Sequence, residues 1–125
     1  MQRANLKLAA GVFASMMLAI GASPQPDPVR GKSLLERRCA GCHALDGVKA
    51  APPLRTVFGK PAAGDAHYPY SDALRKARFS WDERALDRWL ADPESVVPGN
   101  DMSFRLENAA ERADIIAYLK DLGSR

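Results

Sequence analysis

Cys39-Ala40-Gly41-Cys42-His43 is the stretch on which the reading of the fold turns. A C-x-x-C-H run pairs two thiols with an imidazole at the spacing that covalent c-type haem attachment requires. On one helical turn the thiols reach the vinyl groups at one porphyrin edge, and the next side chain swings under the iron. Cys39 and Cys42 then hold the porphyrin and His43 holds the metal. The same pair of cysteines also fits a thioredoxin-like redox couple, half of a zinc site or a plain disulfide. The following histidine supplies most of the discrimination in favour of haem.

Working outward, the chain of 125 residues is one small domain at most. Its only two cysteines both lie in the motif, so no disulfide framework holds it and the core comes from side chains or a cofactor. The N-terminus has the pattern of an export signal, residues 1–22: Arg3 and Lys7 are its positive end, Leu8 to Ile20 its apolar stretch, and Gly21, Ala22 and Ser23 the small residues after it. The apolar stretch is shorter than the ~20 residues that span a bilayer. Cleavage near Ala22 is the favoured reading and an uncleaved anchor the alternative. Export agrees with c-type haem, which bacteria attach outside the cytoplasm.

Removal of Arg3 and Lys7 leaves 16 basic against 15 acidic residues, so the working protein is nearly neutral. The remaining charge is uneven: residues 30–78 carry ten basic and four acidic side chains, residues 79–125 six basic and ten acidic. No basic stripe interleaved with aromatics exists, which argues against nucleic acid. A dipolar surface that orients a protein partner is the expected use of this asymmetry.

Residues 23–28, Ser-Pro-Gln-Pro-Asp-Pro, form an extended linker before the domain at 29–125. Asp27 as N-cap and Pro28 at the first helical position start a helix through Gly31, Leu34, Leu35 and Arg38 into the cysteines. Gly31 costs such a helix about 1 kcal/mol, which fits close packing there or a tolerated surface glycine. After His43 the chain loses regularity through Asp46-Gly47 and Pro52-Pro53. The Pro52 carbonyl is the candidate to accept the second imidazole N–H and fix the tautomer. Ser71 caps a short helix over Asp72–Arg78, and Ser80-Trp81-Asp82-Glu83 reads as a capping box for a helix from Trp81 to Ala91, ending before Pro93. Trp81, Ala85, Leu86, Trp89 and Leu90 give it one inward face.

Met102 is the only methionine outside the signal segment. It follows Pro98-Gly99 in a loop, where a thioether can face a metal, whereas methionine on an apolar helix is normally core filler. Met/His ligation suits electron transfer, because it raises the potential and leaves no open position at iron. A final amphipathic helix runs from Asn108, its cap, through Ile115, Ile116, Tyr118, Leu119 and Leu122 to Gly123. Three to five helices and no strand signal of comparable quality give an all-α domain.

Cys39-Ala40-Gly41-Cys42-His43, Pro52-x-Leu54, Tyr70, Trp81, Pro98-Gly99-x-x-Met102-x-Phe104 and Glu111 to Leu119 occur in the order seen in class I cytochromes c. Over about residues 31–120 the chain resembles the small soluble mitochondrial and bacterial members of that family. The resemblance implies a cytochrome c fold around one covalent haem c, with thioethers at Cys39 and Cys42 and axial ligands His43 and Met102. It also implies that Pro52 supports His43, that Tyr70 and Trp81 hydrogen-bond a haem propionate, and that Gly31 and Leu35 cross Tyr118.

Departures from the family pattern carry expectations of their own. Glu94, Ser95 and Asp101 stand in the loop where mitochondrial members carry docking lysines, while Arg38 keeps its charge. Docking by a lysine ring is therefore not expected, and a partner with basic or mainly apolar surface is. Asn100 stands where Thr is common, and Trp89 replaces a common Tyr, removing a hydroxyl that could tune the iron.

The reading is an exported monomeric electron carrier, not an enzyme, that docks weakly and transiently with redox proteins. Contact with a membrane would come only through an uncleaved N-terminal segment. A peroxidase-like or ligand-binding haem protein in which Met102 dissociates, and a thiol-disulfide oxidoreductase, are the alternatives. His67 is read as a solvent-facing loop residue, and Arg75 to Arg78 as a solvated helix face.

Overall fold

The computed structural model describes Gly11 and residues 21–125; apart from Gly11, the export-signal reading at Arg3, Lys7 and Leu8–Ile20 falls outside them. Five helices follow in order: α1 (Pro28–Arg38), α2 (Asp72–Lys76), α3 (Glu83–Ala91), α4 (Pro93–Val96) and α5 (Ala109–Gly123). Among the described residues no strand forms, only an isolated antiparallel bridge between Pro61 and Ser80. No helix there is long and apolar enough to cross a membrane. The all-α expectation holds, with five helices among the described residues.

Local chemistry explains most helix ends. The Asp27 carboxylate accepts from the Val29 and Arg30 amides at the start of α1, with Pro28 in the first turn. Asn108 accepts from Ala110 and Glu111 at the start of α5, and Ser71 Oγ from Leu74 at α2. The expected capping box at Ser80 is not formed. Asp82 caps α3 through the Ala85 amide at 2.7 Å, and the helix begins at Glu83 rather than Trp81. The reason is tertiary: Trp81 N–H donates to Lys60 O and Trp81 O accepts from Gly59 N–H, both at 2.8 Å. Its backbone is spent closing the long loop. For the same reason α2 stops at Lys76, with Phe79 O accepting from Ala62 N–H. Helix α3 ends before Pro93 as expected, and that proline then opens the single turn of α4, which the sequence reading took as loop.

Helices α1 and α5 cross closely, and α5 also packs on α3. Gly31 makes the crossing possible: a Cβ there would overlap the Asp114 backbone carbonyl and lie 3.0 Å from Tyr118 Cβ. One core joins Leu34 and Leu35 of α1 to Leu86, Trp89 and Leu90 of α3 and Ile115, Ile116, Tyr118, Leu119 and Leu122 of α5.

A polar lock the sequence reading did not contain fastens the same crossing. Arg30 Nε donates to Asp114 Oδ2 at 2.9 Å and Arg30 Nη2 to Oδ1 at 3.2 Å, while the Asp27 amide donates to Oδ1 at 2.7 Å. Asp114 is 6% exposed. The Arg30 guanidinium holds its carboxyl below the usual carboxylate range, with help from the Asp27 amide and against burial. A depressed carboxyl contributes stability that is complete above about pH 4 and is lost as pH falls through its lowered folded value. Asp114→Asn should therefore cost about 1–3 kcal/mol near neutrality and flatten the acid limb of melting temperature against pH. An acid limb as steep as wild type would contradict this.

Candidate functional site

Two irregular segments, residues 39–71 and 97–108, carry the residues singled out by sequence. The first begins where α1 ends. Cys39 is the C-cap residue, its N–H donating to Leu35 O. Cys42 N–H and His43 N–H both donate back to Cys39 O, at 3.1 and 2.9 Å. The motif therefore continues as one more helical turn. Cys39 is half-buried and Cys42 exposed, and they are not bridged to each other.

The His43 ring is fixed from one side. Its Nδ1 lies 2.7 Å from Pro52 O, and because a carbonyl can only accept, the proton is on Nδ1. Nε2 is left with its lone pair, the form in which imidazole ligates a metal. Burial holds the ring below its ordinary pKa, opposed by the Pro52 carbonyl, so it is neutral at pH 7. Pro52 is positioned in turn by Ala51 N–H donating to Cys42 O and Leu54 N–H to Ala44 O, at 3.0 Å each. Burial pushes the Cys39 thiol up to about 11. Thiol-disulfide oxidoreductases work with a thiol lowered to roughly 3.5–7.5 on a βαβ scaffold; Cys39 is shifted the other way, and no βαβ unit forms among the described residues. Nor do the described residues include a group of three or more His, Cys, Asp or Glu that could hold a metal ion.

Met102 sits in the second segment, which is anchored at both ends. On one side Glu94 accepts from the Gly99 amide at 3.1 and 3.2 Å. Gly99 has φ +84, a left-handed conformation that suits glycine. Asn100 Nδ2 donates to Val97 O at 2.8 Å, and Asn100 Oδ1 accepts from Met102 N–H at 2.7 Å. On the other side Leu106 N–H donates to Leu90 O, and Arg112 donates to the Leu106 and Glu107 carbonyls and to Asp87. Asn100, at a position where Thr is common in the family, thus positions the Met102 backbone.

Trp89 has no hydroxyl to offer, but its position still carries a donor. Its indole Nε1–H donates to Met102 Sδ at 3.1 Å, so a donor meets the thioether where the hydroxyl is missing. Trp89 packs edge-on against Trp81, ring centres 5.0 Å apart, and Trp81 likewise against Phe79 at 4.8 Å. The Trp81 indole N–H has no partner among the described residues. The Tyr70 hydroxyl accepts from the Asp65 amide at 3.1 Å, which leaves its own proton to donate elsewhere. Both remain able to serve a propionate. His67 is exposed, as read from sequence. Glu111 reaches Arg38 at 3.5 Å.

Cys39, Leu54, Val57, Phe58, Tyr70, Phe79, Met102 and Phe104 all pack on the one core yet stay only partly buried. An apolar lining this incompletely covered fits a large flat apolar group. The donor set, a neutral imidazole and a soft thioether, suits iron in a site of that kind.

Comparison with known proteins agrees. The family model for cytochrome c matches residues 28–123. Cytochrome c2 iso-2 of Magnetospirillum fulvum is 42% identical over 87 residues, 67% of this chain and 91% of that protein. Cytochrome c of Chlamydomonas reinhardtii is 37% identical over 108 residues, covering 83% of this chain and 96% of its own. Among solved structures, cytochrome cH from Methylobacterium extorquens superimposes with a TM-score of 0.72 at 38% identity, over 76% of this chain and 98% of that one. Motif, half-covered apolar lining, helix crossing and relatives converge, and the chain belongs to the class I cytochrome c family, electron carriers that hold one covalent haem c.

Proposed function

We propose that Cys39 and Cys42 carry the thioether links, that His43 and Met102 are the axial ligands, and that the protein works as an exported carrier between redox proteins. The observation that carries this reading is the Nδ1 contact of His43 to Pro52 O, on the histidine that follows both cysteines. It leaves one imidazole nitrogen free, in the tautomer that iron needs. The bound haem supplies one-electron exchange.

The chain's own residues do the rest. His43 is held neutral and oriented by Pro52. Met102 is held by Asn100 and Trp89 from a loop braced by Glu94 and Arg112. Bracing on both sides keeps the ligands in place in either oxidation state, so electron exchange requires little rearrangement. Tyr70 and Trp81 donate to a propionate, and the aromatic group of Phe79, Trp81 and Trp89 excludes water. Nothing here favours a Met102 that leaves the iron to open a binding position.

Export follows from the N-terminal pattern at Arg3, Lys7 and Leu8–Ile20, with work in the periplasm, as a monomer. Partners dock weakly, as turnover demands. The acidic residues Glu94 and Asp101 beside Met102 direct the protein to a partner with basic or apolar surface.

Film voltammetry on the holoprotein tests the reading together with carbon monoxide addition. A reversible couple at about 59 mV per decade, the one-electron slope, and no carbon monoxide adduct of the reduced protein are expected. Rapid adduct formation at neutral pH would contradict it.

A further inference from the structure

The sulfur of Met102 has a second neighbour besides any metal. Trp89 Nε1–H donates to Sδ at 3.1 Å. Indole N–H is a donor only, and thioether sulfur a weak acceptor. A buried tryptophan normally finds a partner for that N–H, and at 7% exposure Trp89 has Met102 as its partner. The ring has little freedom to leave it, lying edge-on to Trp81 on the inward face of α3 beside Leu86 and Leu90. On the sulfur side, the Met102 amide is tied to Asn100 Oδ1, so the thioether is presented from a fixed backbone.

We infer that Trp89 is a positioning residue for the axial sulfur and raises the reduction potential through its N–H bond to Met102 Sδ. The inference rests on the reading of Met102 as an iron ligand. A thioether sulfur has two lone pairs. With the indole N–H on one, the other is aimed at the metal, which selects one of the two faces of the sulfur. The N–H also draws electron density from sulfur. Less σ-donation from sulfur disfavours Fe(III), while the soft thioether stays bound and keeps its preference for Fe(II), so the bond favours reduction. Hydrogen bonds around a ligand act on potential in this way.

The test compares midpoint potentials of holoprotein carrying Trp89→Phe and Trp89→Tyr with wild type, together with the near-infrared band of methionine-ligated ferric haem. Trp89→Phe should keep covalent haem and the band while lowering the potential. The expected shift is about two- to tenfold in the reduction equilibrium, with tenfold equal to about 59 mV. Trp89→Tyr, with an O–H at the ring tip, should recover most of it. An unchanged potential in Trp89→Phe, or equal shifts in the two variants, overturns the inference. Should Trp89→Phe fail to fold, β-(3-benzothienyl)alanine placed at position 89 keeps the indole shape without the N–H and is held to the same criterion. A wild-type protein without the methionine band would overturn the ligand reading itself; a band present with the potential unmoved overturns only the role of Trp89.

Discussion

Met102→Ala is expected to lower the reduction potential by on the order of 100 mV or more, within the ~0.8 V range that axial ligation spans, and to open the sixth position at iron. Met102 is the only methionine among residues 18–125, so no other can take its place. His67, the one other histidine besides His43, is exposed on a loop turned by Asp65, whose carboxylate accepts from the His67 amide. The fold should survive, because Met102 is only partly buried and its segment stays anchored through Leu106 and Arg112. The signature is loss of the near-infrared methionine band together with rapid carbon monoxide binding by the reduced variant. A variant with its potential and band unchanged would refute ligation by Met102.

Gly31→Ala is expected to be the most damaging small change to the fold. Judged by helix propensity, the substitution gains about 1 kcal/mol. The added Cβ, however, lands on the Asp114 backbone carbonyl, which sits in the middle of α5 and cannot turn away. The helices must move apart, at a cost of about 3 kcal/mol or more. Separation also pulls Asp114 from Arg30 and from the Asp27 amide, so the polar lock fails with the packing. Denaturant unfolding of the holoprotein should show a net loss of about 2 kcal/mol or more, and Gly31→Val a larger one. A midpoint for Gly31→Ala equal to wild type or higher would contradict the crossing geometry.

What the sequence disclosed was mainly what is local. The caps at Asp27, Ser71 and Asn108 are side chains serving amides two or three residues on, so spacing reveals them. The Cys39 to His43 turn and its carbonyl partner Pro52 lie within one short segment. The misplaced start of α3 has the opposite origin. Ser80 and Asp82 are both good caps, and the choice between them was made by backbone bonds from Trp81 to residues 59 and 60. Arg30 with Asp114 spans 84 residues, and Arg112 with Asp87 spans 25. No periodicity announces such pairs. Gly31 is intermediate, since its cost to α1 fits close packing and a tolerated surface glycine alike, and only the resemblance supplied the neighbour. At Trp89 the sequence shows the absence of a hydroxyl, but not that the fold brings the indole N–H within 3.1 Å of Met102 Sδ.

The covalent haem at Cys39 and Cys42 is the claim on which the account depends, and a pyridine haemochrome spectrum after acid-acetone extraction tests it most directly. The protein is made with a c-type maturation system, extracted and assayed for haem that stays with the polypeptide. One haem per chain, retained through extraction and with the c-type α-band, is the predicted result. Haem lost to the solvent phase, leaving a polypeptide with both thiols titratable, would contradict it.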